Sequence, residues 1–275
     1  MQGVRLHAIP RPKDACLSVT VAYDAIAAGY DDQVRGDDWM RRRLHAQYAR
    51  AFRPGQRVLD VGCGTGIDAI ALASMGIQVV GIDGSAAMIE RLREKVAAAR
   101  LEDRVDARVL EIQNLRELCD ERFDGIVSAF ASLSSLADLS AFARDAAELV
   151  HPRGRLIVHL LNRFSLWEFL GYLMRRELAS AARVGRVRRR SFTIGGQAVA
   201  HTLYFTDEAY RRFFARSWTR RDSYSLGALR PPHTVRRLPP PLVGGLEWLD
   251  VRVGRWPLLR DAGRFFVLDL ERRLP

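Results

Sequence analysis

The sequence predicts an α/β fold in which a doubly wound, mostly parallel sheet of seven strands carries helices on both faces. Short apolar patterns typical of buried strands alternate with helical patterns from residue 57 to residue 161. The first strand runs directly into a glycine-rich turn and a helix, as at the start of a parallel βαβ unit. The chain has 275 residues, of which 48% are hydrophobic and 27% charged, so it can bury one large core.

The elements of the predicted core follow in chain order. Residues 1–20 have the pattern of a loose arm with Pro10 and Pro12, whereas residues 21–48 have a helical pattern. The first five strands are predicted at residues 57–61, 78–82, 105–110, 123–129 and 155–161. The helices between them are predicted at residues 67–75, 85–100 and 139–150, with Ser85 as N-cap of the second. Pro54-Gly55 and Pro152–Gly154 predict turns before the first and fifth strands.

The pattern changes after residue 162. A helix is predicted at residues 166–176, a β-hairpin at 190–205 around Gly195-Gly196, and a helix at 206–214 with Thr206 as N-cap. Two final strands, at residues 218–226 and 264–270, are separated by a proline-rich segment. We therefore expect three parts: a helical arm and ligand-binding core at residues 1–162, an inserted lobe at 163–217, and C-terminal strands at 218–275 that complete the sheet.

Several classes of protein are disfavoured. No apolar run reaches the ~18 residues that a membrane span needs, and the N-terminus lacks the apolar core of a signal peptide. The three cysteines, Cys16, Cys63 and Cys119, form no CxxC pair, which fits a reducing cytoplasm rather than a disulfide framework. No grouping of His, Cys and Asp has metal-ligand spacing, so the sequence predicts no metal site.

The charge is unevenly distributed. The net charge is +11, but residues 1–150 hold 19 basic and 22 acidic residues, whereas residues 151–275 hold 24 and 10. A basic half favours an anionic partner such as nucleic acid, phosphate or a carboxylate. Lysine occurs only at Lys13 and Lys95, and the other 41 basic residues are arginine. The codon bias of a GC-rich genome would produce the same excess, so both explanations stay open.

The most informative stretch is VLDVGCGTG at residues 58–66. Its three glycines follow a buried strand and let the backbone approach a ligand closely. Asp83 ends the next strand about twenty residues later, where an acidic side chain accepts the ribose hydroxyls of a nucleoside. The pair predicts an adenosine-containing cofactor. The spacing is GxGxG rather than GxGxxG, and Asp60 before it would repel a pyrophosphate but would favour a positively charged amino-acid group.

At these positions the chain resembles the class I S-adenosylmethionine (SAM)-dependent methyltransferases. Residues 58–66 are close to that family's first motif, and GIDGSAAM at residues 81–88 is similar to its second. YDAIAAGYD at residues 23–31 looks like the N-terminal segment that closes over the cofactor, FDGIVSAF at 123–130 resembles the strand-four motif, and LVHPRGRL at 149–156 resembles the turn before strand five. The chain departs from the family at Glu111, where aspartate is usual, at Ile112, where a small residue is usual, and at Arg153, which replaces a glycine.

The resemblance is strong over residues 21–162 and weaker over residues 163–275. It implies that the cofactor is SAM, with S-adenosylhomocysteine as product. It also implies the residues that contact this cofactor, which are Tyr30, Asp60, Gly62, Cys63, Gly64, Asp83, Gly84, Met88, Glu111, Ile112 and Ala129.

The acceptor side is less clearly marked. Methyl transfer from a sulfonium is an in-line displacement, so a general base is needed only for a protonated nucleophile. His159, near the end of strand five, is the candidate base, and a satisfied core histidine is the alternative. His201, on the predicted hairpin, is a second candidate, and an exposed residue of a surface strand is the alternative. The long segment after strand five predicts a lid over a small acceptor. Candidate residues lining its site are Tyr23, Phe130, Trp167, Tyr172 and Tyr204.

The expected function is methyl transfer to an oxygen or nitrogen of a small-molecule biosynthetic intermediate. The first alternative is an RNA methyltransferase that uses the basic run at residues 183–190. That run lacks interleaved aromatic residues, and the chain lacks both the (N/D/S)PP(Y/F/W) motif after strand four and a Pro-Cys nucleophile. A SAM-binding module without catalysis and a nicotinamide-dependent oxidoreductase are further alternatives, the last opposed by the glycine spacing. The sequence leaves the oligomeric state open.

Overall fold

The computed structural model describes residues 19–232, 235 and 238–274. It confirms the predicted α/β fold with a seven-stranded, mostly parallel sheet. The strand order is β3-β2-β1-β4-β5-β9-β8, and β6 and β7 form a separate hairpin. Most of the predicted N-terminal arm, with Pro10, Pro12 and Cys16, lies outside the described residues. The strands are β1 Arg57–Val61, β2 Gln78–Asp83, β3 Val105–Val109, β4 Phe123–Ser128, β5 Val150–Leu161, β6 Arg189–Ile194, β7 Gln197–Thr202, β8 Trp218–Leu226 and β9 Phe265–Arg272.

Helices cover the sheet on both sides. The α-helices are α1 Val19–Asp24, α2 Tyr30–Val34, α3 Asp38–Ala51, α4 Ile67–Ser74, α5 Ala86–Ala99, α6 Ser140–Leu149, α7 Leu166–Met174, α8 Leu178–Ala181, α9 Thr206–Ala209 and α10 Pro240–Val253. The helical pattern predicted for residues 21–48 is divided into three α-helices by short 3₁₀ turns that contain Gly29 and Gly36, since glycine weakens a helix interior. Ser85 is the N-cap of α5, as predicted, because its hydroxyl accepts the Met88 N–H.

Neighbouring residues of each strand pack on opposite faces. Val58 belongs to the hydrophobic cluster under α3, α4 and α5, whereas Leu59 belongs to the cluster under α6. The sheet is therefore doubly wound. Asp60 follows the same alternation and lies on the α3 and α4 side. Strands β1 to β5 pair in parallel, and β9 runs antiparallel between β5 and β8.

The structure corrects three local predictions. The turn predicted at residues 152–154 lies inside β5, where the register shifts and Arg153 has a φ of 66°. The residues predicted to turn form a β-bulge, so β5 continues through them. Thr206 is the first residue of α9 rather than its N-cap, because its hydroxyl donates to Asp261 instead. The predicted helix at residues 206–214 begins as α9 and continues as one π-helical turn, Tyr210–Phe214.

Helix α10 is missing from the sequence prediction, which described its segment only as proline-rich. It begins with Pro240 and Pro241, and proline is tolerated there because the first N–H groups of a helix have no internal partner. Within the described part of the chain, no helix is long and apolar enough to cross a bilayer.

Candidate functional site

The glycine loop lies between β1 and α4. Gly62, Gly64 and Gly66 have φ values of 69°, 54° and 78°, a region that favours glycine. A Cβ would lie 2.4 Å from Ser132 Cβ at Gly62 and 2.0 Å from a Leu92 methyl at Gly66, so both glycines are required by packing. At Gly64 the nearest atom would be a Tyr30 ring carbon 3.9 Å away. Gly64 therefore faces free space, as a loop that cradles a ligand must.

Asp83 ties this loop to the next helix. Its two carboxylate oxygens accept the Gly64 N–H and the Ser85 N–H, each at 2.9 Å. Burial raises the pKa of Asp83, although these two hydrogen bonds oppose the rise. Beside it, a Cβ on Gly84 would lie 2.5 Å from a Thr20 methyl of α1. The loop, β2 and the N-terminal segment thus meet at Asp83.

Asp60 is a buried carboxylate with no hydrogen-bond partner among the described residues. Its exposed fraction is 1%, and both of its oxygens are unpartnered. Burial raises its pKa well above the usual range, and the nearby Asp68 and Asp83 add to the rise, while Arg41 opposes it. Buried polar groups are almost always paired in folded proteins. A cationic group in front of the glycine loop would supply the missing partner.

Three functional candidates were not found from the sequence: Arg41, His45 and Asp68. The Arg41 guanidinium and the His45 ring both bind the Asp68 carboxylate in the interior. Burial alone would raise the pKa of Asp68, but these two partners outweigh it and hold the pKa low. Arg41 also lies 4.1 Å over the Phe130 ring and retains an unpartnered Nε. Arg41, although bound to Asp68, thus lies close enough to Asp60 to oppose the rise in the pKa of that carboxyl group.

The predicted N-terminal segment is held against the loop by two aspartates. Asp24 accepts the Ser85 hydroxyl and the Ala87 N–H at the start of α5. Asp31 accepts the Thr65 hydroxyl, which belongs to the loop itself, and pairs with Lys95 at 2.8 Å. These contacts hold the segment against the loop and the start of α5; that it closes over a cofactor stays a prediction.

Tyr23 and Tyr30 cover the loop from this segment. Their rings meet edge to face with centroids 6.3 Å apart. Burial raises the pKa of Tyr30 to about 12, and it raises the pKa of Tyr23 as well, so both hydroxyls stay protonated at neutral pH. The contact between Tyr23 and Tyr30 links a residue predicted for the acceptor with one predicted for the cofactor.

The other predicted cofactor residues lie in the loop itself or on the elements that follow β2, β3 and β4. Cys63 is buried beside Gly64, and burial raises the pKa of its thiol. Ala129 is buried, and its carbonyl oxygen accepts the Ser132 hydroxyl. Glu111 is exposed and precedes the half-buried Ile112. Met88 is buried in the first turn of α5. The roles of these residues toward a cofactor stay predictions.

The geometry argues against His159 as a general base. Its ring is 1% exposed, and its Nδ1 accepts the Phe130 N–H at 3.0 Å, so the proton of the neutral ring is on Nε2. Burial lowers its pKa to about 3. A base with that pKa and an occupied lone pair is a poor proton acceptor at neutral pH. His159 instead fixes the backbone of Phe130, which has a φ of 47°.

The predicted acceptor residues separate into two groups. Phe130 is half-buried beside His159, with ring centroids 5.2 Å apart. Trp167 is tied to the loop after β8, because its indole N–H donates to the Leu229 carbonyl oxygen. Tyr204, by contrast, is 3% exposed and packs against Phe213 in the core under α6, which is a packing position.

The hairpin of β6 and β7 connects the two sides of this region. A Cβ on Gly195 at its tip would lie 2.6 Å from the Ala22 carbonyl oxygen of α1. At its other end the Thr202 hydroxyl donates to the Leu136 carbonyl oxygen, in the loop that follows β4. His201 is buried against Phe192 rather than exposed on a surface strand as predicted. The hairpin thus lies beyond the carboxyl ends of the parallel strands, where such folds bind ligands.

The basic run at residues 183–190 is partly neutralised. Arg188 pairs with Glu208 and Arg190 pairs with Glu168, each within 3.0 Å. These pairs reduce the positive field that an RNA backbone would meet. In the part of the chain that the structure describes, no group of three His, Cys, Asp or Glu side chains is placed to hold a metal ion.

The comparisons with known proteins agree with this geometry. Residues 58–154 match the family model described as a methyltransferase domain. A ubiquinone biosynthesis O-methyltransferase of Azorhizobium caulinodans is 39% identical over 117 residues, which are 42% of this chain and 45% of that protein. A demethylmenaquinone methyltransferase of Symbiobacterium thermophilum is 32% identical over 157 residues, 54% of this chain and 61% of that protein. The chain spans about half the length of the curated relatives it matches.

The fold has close counterparts among solved structures. The CcbJ methyltransferase from Streptomyces caelestis superposes with a TM-score of 0.55 at 19% identity, covering 84% of this chain and 94% of that one. At this identity the likeness concerns the fold alone.

Proposed function

We propose that this chain, whose residues 58–154 match a methyltransferase domain, is a class I SAM-dependent methyltransferase that transfers a methyl group to an oxygen or nitrogen of a small molecule. The observation that carries the proposal is the open Gly64 loop beside the unpartnered, buried Asp60. Arg41 lies near Asp60 and, although it binds Asp68, keeps an Nε–H donor without a partner among the described residues. The amino-acid end of SAM has one ammonium and one carboxylate group, so this pair fits it.

The residues around the loop fit the rest of the same cofactor. SAM, when bound, supplies a methyl group that is already activated for displacement. Asp83 would accept the ribose hydroxyls, since a carboxylate at the end of β2 is placed for that purpose. The contacts of Asp24 and Asp31 hold the N-terminal segment in place, so that Tyr23 and Tyr30 on this segment would exclude water from the loop.

The residues of the acceptor side position rather than react. Arg41 and His159 fix Phe130 from its ring and from its backbone N–H, respectively. A rigid aromatic wall orients a bound acceptor, and orientation is the main requirement of an in-line displacement. We assign no general base among the described residues. A phenol or enol acceptor with a lowered pKa would ionise without one.

The acceptor we propose is a small biosynthetic intermediate. The relatives support this choice because their names describe quinone biosynthesis, with transfer to oxygen in the Azorhizobium protein. We further propose that the protein acts in the cytoplasm, which its cysteine usage favours. The paired arginines of the basic run give no support to the RNA alternative.

Two measurements test the proposed function. Calorimetric titration with S-adenosylhomocysteine should show micromolar binding, and NADH, the control ligand, should show none. Incubation with methyl-labelled SAM and a panel of hydroxylated aromatic and amine acceptors should then transfer label to at least one of them. Binding of NADH, or methylation of RNA alone, would contradict the proposal. Binding without any transfer would support a module that holds SAM but lacks catalysis.

Asp83→Asn should weaken S-adenosylhomocysteine binding by ~1–3 kcal/mol, about fivefold to 150-fold, because charge-assisted hydrogen bonds are lost. One amide oxygen can still accept a loop N–H, so the variant is expected to fold. Calorimetry measures the affinity. The control is Asp106→Asn, which removes an exposed carboxylate of β3 paired with Arg108. Equal affinity in wild type and in a folded Asp83→Asn variant would remove Asp83 from the site.

A further inference from the structure

A cavity lies between α3, β8 and α10, away from the glycine loop. Its volume is about 230 Å³. A single water occupies roughly 10–15 Å³ by this measure, so the cavity accommodates a molecule of many atoms. None of the residues assigned to the cofactor lines it. The lining is Trp39, Arg42, Arg43, Ala46, Gln47, Arg50, Tyr224, Glu247, Val251 and Arg255.

The lining is strongly basic. Four arginines line the cavity against one carboxylate, Glu247. Arg42 binds Glu247 at 3.3 Å, and Arg255 is neutralised from outside the lining by Asp222 at 2.7 Å. Arg43 and Arg50 have no carboxylate partner among the described residues. The cavity therefore retains two uncompensated guanidinium groups.

Two acceptors beside the cavity already receive hydrogen bonds, whereas several donors of the lining have no partner among the described residues. Glu247 accepts from Arg42 and from Arg230, and the Val251 carbonyl oxygen accepts from Arg43. The Trp39 Nε1, Arg43 Nε and Tyr224 Oη groups belong to lining residues and have no partner among the described residues. A surplus of guanidinium groups over carboxylates, with further N–H and O–H donors unpartnered, is the pattern that an anion satisfies.

We propose that this cavity binds the phosphate group of a small phosphorylated molecule. Guanidinium groups match phosphate oxygens in pairs, which favours phosphate over a spherical anion such as chloride. Arg43 and Tyr224 already contact each other, with the guanidinium 4.8 Å from the ring centroid, so the wall is ordered before a ligand enters. The site is independent of the proposed methyl transfer, because it shares no residue with the glycine loop.

Titration of the full chain with inorganic pyrophosphate at constant ionic strength tests the site. We expect saturable binding by calorimetry and a rise in melting temperature, because a ligand that binds only the folded state stabilises it. Arg50→Gln should weaken the affinity about tenfold, and Arg43→Gln about tenfold to a hundredfold. Arg50 is exposed, so its substitution should leave the fold unchanged even if Arg43→Gln proves unstable.

The controls separate this site from general charge effects and from the cofactor loop. Arg211→Gln removes an exposed arginine outside the cavity and should leave pyrophosphate affinity unchanged. Gly64→Val should bind pyrophosphate like the wild type even where it no longer binds S-adenosylhomocysteine. The proposal would be overturned if Arg50→Gln and Arg211→Gln reduced the affinity for pyrophosphate equally. The absence of pyrophosphate binding would also overturn it. A third contrary outcome is tight binding of a short RNA that Arg50→Gln weakens and that pyrophosphate does not displace.

Discussion

Gly64→Val is expected to abolish S-adenosylhomocysteine binding, with a loss of about a hundredfold or more in affinity. A loss of this size is close to the upper cost of forcing extra side-chain atoms into space that a bound ligand already fills. Gly64 is the loop glycine whose Cβ would project into free space, with only Tyr30 near it at 3.9 Å. A valine there would occupy the room in which a ligand must approach the backbone. Calorimetric titration of the purified variant measures the loss.

The backbone strain of this substitution needs its own control. A φ of 54° costs a side-chain-bearing residue roughly 1–2 kcal/mol, independent of any ligand. Gly55 has a φ of 85° and no atom within 4 Å of its Cβ position, so Gly55→Val causes similar strain in the turn before β1. We expect Gly55→Val to lose stability but to bind S-adenosylhomocysteine normally. Should both variants lose binding alike, strain rather than the loop position would be responsible.

The elements with strong local signals were predictable from the sequence. Strands β1 and β8 occur at the predicted residues, because apolar runs bounded by turns have few alternatives. The N-cap at Ser85 and the glycine turn of the β6–β7 hairpin were also predictable, since each depends on a few adjacent residues. The turn of the glycine loop and the position of Asp83 at the end of β2 follow from the same local rules, whereas the roles of these residues toward a cofactor stay predictions.

The remaining features depend on contacts between distant segments. Arg41 meets Asp68 across 27 residues, and no local pattern marks α3 as the helix that faces the loop. Likewise, His159 carries no sign in the sequence that its Nδ1 accepts the Phe130 N–H. Helix α10 was not predicted, because prolines such as Pro240 and Pro241 are typical of loops, although here they begin the helix. Tertiary packing decides such positions, so they could be assigned only from the folded chain.

Asp60→Asn is expected to stabilise the fold and to weaken the cofactor site. A buried charge without a partner costs free energy, and a neutral amide of the same shape avoids most of that cost, with a gain of the order of 1–2 kcal/mol. The same substitution removes the negative charge that would pair with the ammonium group of the cofactor. We therefore expect a higher melting temperature together with about tenfold or greater loss of S-adenosylhomocysteine affinity. Natural ligand sites commonly keep such groups because function requires them, although the groups lower the stability of the fold.

The pH dependence distinguishes this explanation from simple repacking. Folding raises the pKa of Asp60, so the folded state holds this proton more firmly than the unfolded chain does. Stability of the wild type should fall as the pH rises from the ordinary aspartate range through the raised folded value, and Asp60→Asn should lack this loss. The stability difference between the two proteins should therefore be smallest in acid and should grow with pH. Urea denaturation at several pH values measures it.

Cofactor affinity should depend on pH in the opposite sense. A cationic ammonium group favours the ionised carboxylate, so binding releases the Asp60 proton and becomes tighter as the pH rises through the folded pKa. Asp250→Asn is the matched control, because Asp250 is equally buried and has a raised pKa but already accepts the Gly227 and Leu229 N–H groups. Losing those bonds should destabilise the protein and leave S-adenosylhomocysteine affinity and its pH slope intact. A pH slope that survives in Asp60→Asn would mean that another group supplies the charge, and Asp60 would then be a structural residue alone.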